Sequence, residues 1–203
     1  MDRLTDEQLM EQLQQGQTSA LDELHARYAK KLYAFCHYTT RSRNPQDSED
    51  LVQDVFVRVI KSAHTFNPRR ASFRTWMFRV ARNRCIDVVR RQEKIKFIAL
   101  GQRTERDGRE QDVVPEDTIA DPNEDVEGAV MRAAVIQAVR DCIDELVNED
   151  ERQAILLYYL GGKVYREIGK MLGKSINTAK NRIESARNKI KRCFERKGIH
   201  SAI

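Results

Sequence analysis

The sequence predicts an all-α protein: two small helical domains joined by a flexible acidic linker, the C-terminal one containing a helix-turn-helix. Nearly every periodic segment repeats apolar residues at three- and four-residue steps, and none alternates as a strand does. Between about Phe97 and Asn123 that period disappears, and Gly101, Gly108, Pro115 and Pro122 punctuate a polar, acidic stretch that reads as a linker. Near the C-terminus two short helical segments flank Gly173-Lys174, the outline of a helix-turn-helix. The expected boundaries are 1–96, 97–123 and 124–203.

The first helix starts at Thr5, whose spacing to Gln8 is that of a capping box, and Gly16 closes it after Leu9, Met10 and Leu13. A second follows from about Thr18, with Leu21, Leu24, Tyr28, Leu32 and Phe35 on one stripe. Asn44-Pro45 opens the third, since Asn caps and Pro fits the first turn. It runs to about Ala63, burying Leu51, Val52, Val55, Phe56, Val59 and Ile60. Ser72 caps a fourth that extends to about Lys94, with Met77, Val80, Ala81, Cys85, Val88 and Val89 inward. Helical periodicity returns over 124–146 and 149–160, then breaks at Gly161-Gly162. The last two helices cover 165–172 and 175 to about 194, with Ile168, Leu172, Ile176, Ala179, Ile183, Ala186 and Ile190 expected inside.

Charge is distributed in blocks. The net charge is only +5, yet 58–96 is almost wholly positive, 105–127 mostly negative and 163–197 positive again. From Phe66 to Arg91, Phe66, Phe73, Trp76 and Phe78 alternate with eight arginines against one acid, Asp87. Cations beside aromatics suit a surface that neutralises phosphates and stacks unpaired bases. Cys36, Cys85, Cys142 and Cys193 are scattered, without a C-x-x-C pair or a histidine at ligand spacing, and read as reduced, partly buried thiols. No segment approaches membrane-spanning length and no basic stretch leads into an apolar run at the N-terminus, so a cytoplasmic protein without membrane insertion is expected.

In the helix-turn-helix, Asn177, Thr178, Lys180, Asn181, Arg182 and Ser185 are free to face outward. Short donors and long cations at a helix start suit phosphate and major-groove contact. A basic solvated hairpin has the same pattern. Asp47, Glu49, Asp50 and Asp54 could be imagined as a metal cluster in a nucleic-acid enzyme, but on a capped amphipathic helix they read as surface or interface acids. There is no P-loop pattern.

Asp50-Leu51-Val52-Gln53-Asp54-Val55-Phe56, Phe66, Ser72-Phe73-Arg74-Thr75-Trp76-Met77, Ala81-Arg82-Asn83, then Tyr165 to Leu172 and Thr178 to Arg187, in this order, resemble a bacterial sigma-70-family factor. The short two-domain build resembles the extracytoplasmic-function class. The resemblance spans about 9–94 and 124–194. It implies a non-catalytic initiation factor without cofactor or metal. Its implied partners are core RNA polymerase, through the largest-subunit clamp and the flap, promoter DNA, and the anti-sigma factor usual for the class.

Position by position, the resemblance places Asp50, Leu51, Gln53, Asp54 and Phe56 at the polymerase clamp. Arg58, Ser62, Phe66 and Asn83 fall where the class holds a base flipped from the −10 element. Phe73, Trp76 and Arg79 fall in the strand-separation segment, although Trp76 also fits the core. Ser175, Asn177, Thr178, Lys180, Asn181, Arg182, Glu184 and Ser185 fall on the −35 reader. Asn177-Thr178-Ala179 stands where Gly-Thr-Val is usual, and Gly169 replaces a common Ala, so base preferences do not carry over. By the same resemblance, the acidic linker would thread towards the RNA exit path, where a negatively charged peptide suits a basic channel. The rival is a conventional helix-turn-helix regulator that does not act through core polymerase, which would leave the arginine and aromatic segment without a task.

Overall fold

A computed structural model describes residues 4–42, 44–100 and 126–199. Among the described residues it is helical without a strand: α1 (Asp6–Gln14), α2 (Ser19–Thr40), α3 (Pro45–Ser62), a 3-10 turn (Ala63–Thr65), α4 (Phe73–Leu100), α5 (Val126–Asp144), α6 (Glu149–Tyr159), α7 (Tyr165–Leu172) and α8 (Ile176–Arg196). The all-α expectation holds. The acidic stretch 105–125 lies outside the described residues.

The starts are set by local chemistry. Thr5 and Gln8 form the capping box, the Thr5 amide donating to the Gln8 side chain at 2.8 Å and the Gln8 amide to the Thr5 hydroxyl at 3.2 Å. Asn44 accepts from the Gln46 amide ahead of Pro45, Asn148 accepts from the Glu151 amide to start α6, and Ser175 accepts from the Thr178 amide to start α8. α7 ends on Gly173 at φ +65°, the left-handed cap that glycine adopts without steric cost. α4 outruns its expected end at Lys94 and continues to Leu100, with no glycine or proline from Phe73 to Leu100 to interrupt it.

Leu24, Leu32, Phe35, Val55, Met77 and Phe78 are fully enclosed between α2, α3 and α4, with Phe35 and Phe78 edge to face at 5.3 Å. Two expected core residues are outside: Ile60 is 46% and Ile176 47% exposed. Each sits at the margin of its apolar stripe, where rotation of the helix decides the outcome rather than residue type.

The C-terminal helices pack on the N-terminal ones, and one apolar cluster runs continuously from Leu9 to Ala186. Polar ties cross the seam. The Arg74 guanidinium donates to the Leu160 carbonyl at 2.6 Å, Arg82 Nε to Gln153 at 2.8 Å, and Arg41 to the Leu146 carbonyl at 2.9 Å. Thr75 donates to Glu167 at 3.0 Å and accepts from Lys163 Nζ at 2.5 Å. Gly162 is required here: its φ is +58°, and a Cβ would lie 2.5 Å from the Arg74 guanidinium.

Lys163 is 3% exposed, and burial lowers its pKa from 10.5 to about 8. Between those values the folded chain holds fewer protons at Lys163 than the unfolded chain, so this residue makes stability rise with pH across the window. Cys36, whose pKa the Cys85 contact and burial raise, acts oppositely above about pH 8.5, and Tyr28 and Tyr38, raised by burial, do so above about pH 10. The Lys163 share of that dependence is a gain of up to about 2 kcal/mol from about pH 8 to 10, read in urea melts as the difference in slope between wild type and variant. Lys163→Met should flatten that gain, and an unchanged slope would show the ammonium to be solvated.

The cysteines depart from the expectation of four reduced thiols. Cys142 on α5 and Cys193 on α8 form a disulfide across a sequence separation of 51, with Cα atoms 5.7 Å apart. Cys36 and Cys85 are free and buried. The reason is tertiary: α5 packs along the end of α8, and Ala138, Val139, Ile190 and Phe194 enclose the two sulfurs in a small apolar cluster.

Candidate nucleic-acid and polymerase interface

α3 presents two faces. Asp50 and Gln53 are exposed, whereas Leu51 and Phe56 are 6% and 3% exposed and belong to the core, Phe56 packing on His25 at 4.7 Å. Asp54 is held inside the molecule's own charge network, bound by Arg84 and facing Arg58 at 3.5 Å. The outer stripe contains Val57, which the sequence pattern did not mark, and Ile60, which it placed in the core, exposed at 42% and 46%. With Asp50 and Gln53 they follow three- and four-residue steps, forming a mixed polar and apolar strip suited to a partner helix. Beside it, His25, Tyr33, His37, Val52, Gln53 and Arg140 line a groove between α2, α3 and α5. The imagined metal cluster has no support in the geometry, because Asp47 accepts from Ser42 at 2.8 Å and Asp54 faces arginines.

The aromatic segment is folded inward. Phe66, Phe73 and Trp76 are 6%, 0% and 5% exposed and pack on one another with ring centroids 5.6 to 6.2 Å apart. Tyr28 closes the group edge-on to Phe73 at 5.7 Å. The flat faces that the sequence suggested for stacking bases are thus spent on each other, and Trp76 takes the core alternative. What remains outward is polar. Arg79 and Asn83 are exposed one turn apart on α4, Arg58 is exposed on α3, and the half-buried Ser62 donates its hydroxyl to the Arg58 carbonyl at 2.5 Å.

On α8, Ser175 is exposed and serves as the cap, Asn177, Lys180, Asn181 and Glu184 are exposed, and Thr178, Arg182 and Ser185 are half-buried. Lys180 and Glu184 face each other at 3.7 Å. Arg182 and Ser185 both converge on Glu151 of α6, together with Lys189. Glu151 carries no motif in the sequence, and its place in the first turn of α6 does not tell which helix it faces. Arg187 stacks over Tyr158 and Tyr159 at 4.8 and 5.5 Å and braces α8 against α6.

A helical body whose last two helices form a helix-turn-helix, beside a basic α4 and a mixed strip on α3, has the build of a nucleic-acid-binding protein. Comparison with known proteins names the class. Sigma-70 region 2 matches residues 24–95, and Sigma-70 region 4 matches 136–190. The chain is 32% identical over 151 residues to the ECF RNA polymerase sigma factor SigX of Bacillus subtilis, covering 73% of this chain and 70% of that one. It is 30% identical over 199 residues to the ECF RNA polymerase sigma-E factor of Haemophilus influenzae, covering 93% and 95%. Against the ECF sigma factor SigE of Mycolicibacterium smegmatis the identity is 31%, and the match spans 60% of that relative's length.

Two solved structures share the fold. CnrH in complex with the cytosolic domain of CnrY has a TM-score of 0.57 at 22% identity, covering 92% of this chain and 95% of that one. The sigma factor RpoE in complex with the anti-sigma factor NepR from Bartonella quintana has 0.61 at 21%, covering 86% and 96%. The chain belongs to the ECF RNA polymerase sigma factors. Members of this family bind RNA polymerase and direct it to promoters without catalysing a reaction themselves. No helix among the described residues is long and apolar enough to cross a membrane.

Proposed function

We propose that this chain docks on the clamp of core RNA polymerase through the Asp50, Gln53, Val57 and Ile60 strip. On that reading α8 reads the −35 element and Arg58, Ser62, Arg79 and Asn83 hold the melted −10 strand. The observation that carries the reading is the ordered pairing of the two regions: a basic α4 rimmed by exposed polar groups, followed by a helix-turn-helix whose leading face is exposed and capped by Ser175. A helix-turn-helix regulator alone would not account for the first. Opening the duplex costs about 1 to 2 kcal/mol per stacked step. With Phe66, Phe73 and Trp76 enclosed, hydrogen bonds to the edges of an extruded base, rather than stacking, offset that cost, and the aromatic group props the surface from beneath. Anti-sigma control, named for the RpoE neighbour in its complex, extends to this chain as part of the same proposal.

The two readers sit in one body tied by Arg74, Thr75, Arg82 and Lys163. Elements centred 35 and 10 pairs upstream of the start site lie about 85 Å apart along B-form DNA at about 3.4 Å per pair. A packed chain does not reach both. Engagement on the promoter therefore separates α5–α8 from α1–α4, and the 25 residues between α4 and α5, fully extended, could span about 85 Å.

Replacing Lys180 and Arg182 with Ala together should weaken −35-dependent promoter binding about 10- to 100-fold and reduce the slope of log affinity against log salt by about 1 to 2. Core affinity should stay near the wild-type value in a titration with labelled core. A parallel loss of core affinity would refute this division of labour.

A further inference from the structure

Glu151 stands in the first turn of α6, its backbone fixed by the Asn148 cap, and its side chain is 5% exposed. Three α8 side chains meet it. Ser185 Oγ lies 3.0 Å from Oε1, Lys189 Nζ 2.6 Å from Oε2, and Arg182 3.7 Å from Oε1. Residues 182, 185 and 189 occupy one face of the helix at three- and four-residue steps. Ser185 also lines an open groove on α8 with Asn181, Glu184, Asn188 and Arg192.

The chemistry of the Ser185 contact has a direction. An ionised carboxylate only accepts, and a serine hydroxyl has one hydrogen to give. Ser185 therefore donates to Glu151, and toward the groove it offers lone pairs alone. In the DNA major groove the exocyclic amines of adenine and cytosine donate, whereas guanine O6 and N7 and thymine O4 accept. A hydroxyl already committed to Glu151 discriminates between these two sets; a freely rotating one does not.

We propose that Glu151 is a specificity-determining residue that acts through Ser185. It fixes the hydroxyl as an acceptor, so that one position of the −35 element is read as an amino base, adenine or cytosine, over a keto base, guanine or thymine, on the strand facing Ser185. The same carboxylate balances Lys189 and Arg182, which limits their pull on phosphates of any sequence. This rests on the reading that α8 contacts the −35 element.

The test uses the full chain bound to core polymerase and a promoter library randomised through the −35 element. Wild type should favour A or C over G or T at one position by about 5- to 10-fold. Ser185→Ala should abolish that preference at that position alone, and Ser185→Thr, which keeps the hydroxyl, should restore it. Glu151→Gln, whose amide can donate to Ser185 and release its hydrogen, should flatten or invert the preference there, while the release of Arg182 and Lys189 raises affinity for DNA of any sequence. Preferences that survive Ser185→Ala and Glu151→Gln intact would reduce Glu151 to a structural ion pair. A G or T preference lost with Ser185 would mean the hydroxyl donates to DNA and would overturn the proposal even if Glu151→Gln failed to fold. A wild type without any −35 preference would remove the reading of α8 itself, and this proposal with it.

Discussion

Replacing Trp76 with Ala is expected to lower the unfolding free energy by about 3 to 5 kcal/mol, the usual cost of deleting a large buried aromatic. Trp76 is 5% exposed and its ring lies 5.6 Å from that of Phe66 and 6.2 Å from that of Phe73. Its removal leaves those two rings facing a void, and the α3–α4 connection that carries Phe66 loses its seat. Because the loss is global to this helical unit, core binding and promoter opening should fall together, in step with the unfolded fraction. Trp76→Phe, which keeps most of the ring volume, should recover most of the stability.

Trp76 is the only tryptophan in the chain, so wild-type unfolding is followed by its emission, and the variant by helical circular dichroism. The burial reading fails if Trp76→Ala keeps the wild-type urea midpoint and core affinity while permanganate reactivity of −10 thymines disappears. That pattern would place the ring against DNA.

The same segment shows what the sequence made legible and what it did not. The caps at Thr5, Asn44, Ser72 and Ser175 identify helix starts because one short polar side chain satisfies an otherwise orphaned amide, a local event independent of the rest of the fold. Architecture followed from the order of such local signals and of the apolar stripes, and the family resemblance from the ordered motifs between Asp50 and Arg187. Trp76 was ambiguous because three- and four-step spacing places residues on a face without saying what that face meets. Ile60 and Ile176 illustrate the same limit at stripe margins. The seam between the two helical regions was invisible for another reason: Arg74 and Arg41 donate to backbone carbonyls, and a carbonyl acceptor is present at every residue. Glu151 was missed because its importance lies in converging partners from a helix about thirty residues away, not in its neighbours.

The disulfide extends that point and predicts the second large effect. Cys142 and Cys193 share no motif, and only the docking of α5 on the end of α8 brings them together. Closing a loop across a separation of 51 residues restricts the unfolded chain by about 4 kcal/mol in the chain-entropy treatment. Reduction, or Cys193→Ser, should therefore lower the stability of the α5–α8 region by about 2 to 4 kcal/mol, since strain relief and residual unfolded structure take back part of the ideal value. The denatured, unreduced chain should expose two titratable thiols, those of Cys36 and Cys85. Helix α8 would retain its packing on α6 and α7, because Ile183 and Ala186 are fully buried there and do not depend on the bridge. Fraying should thus concentrate at α5 and the end of α8, visible as faster amide exchange at both. Four reactive thiols in the denatured chain, or identical urea midpoints with and without reductant, would show that the two sulfurs are neighbours and not bonded.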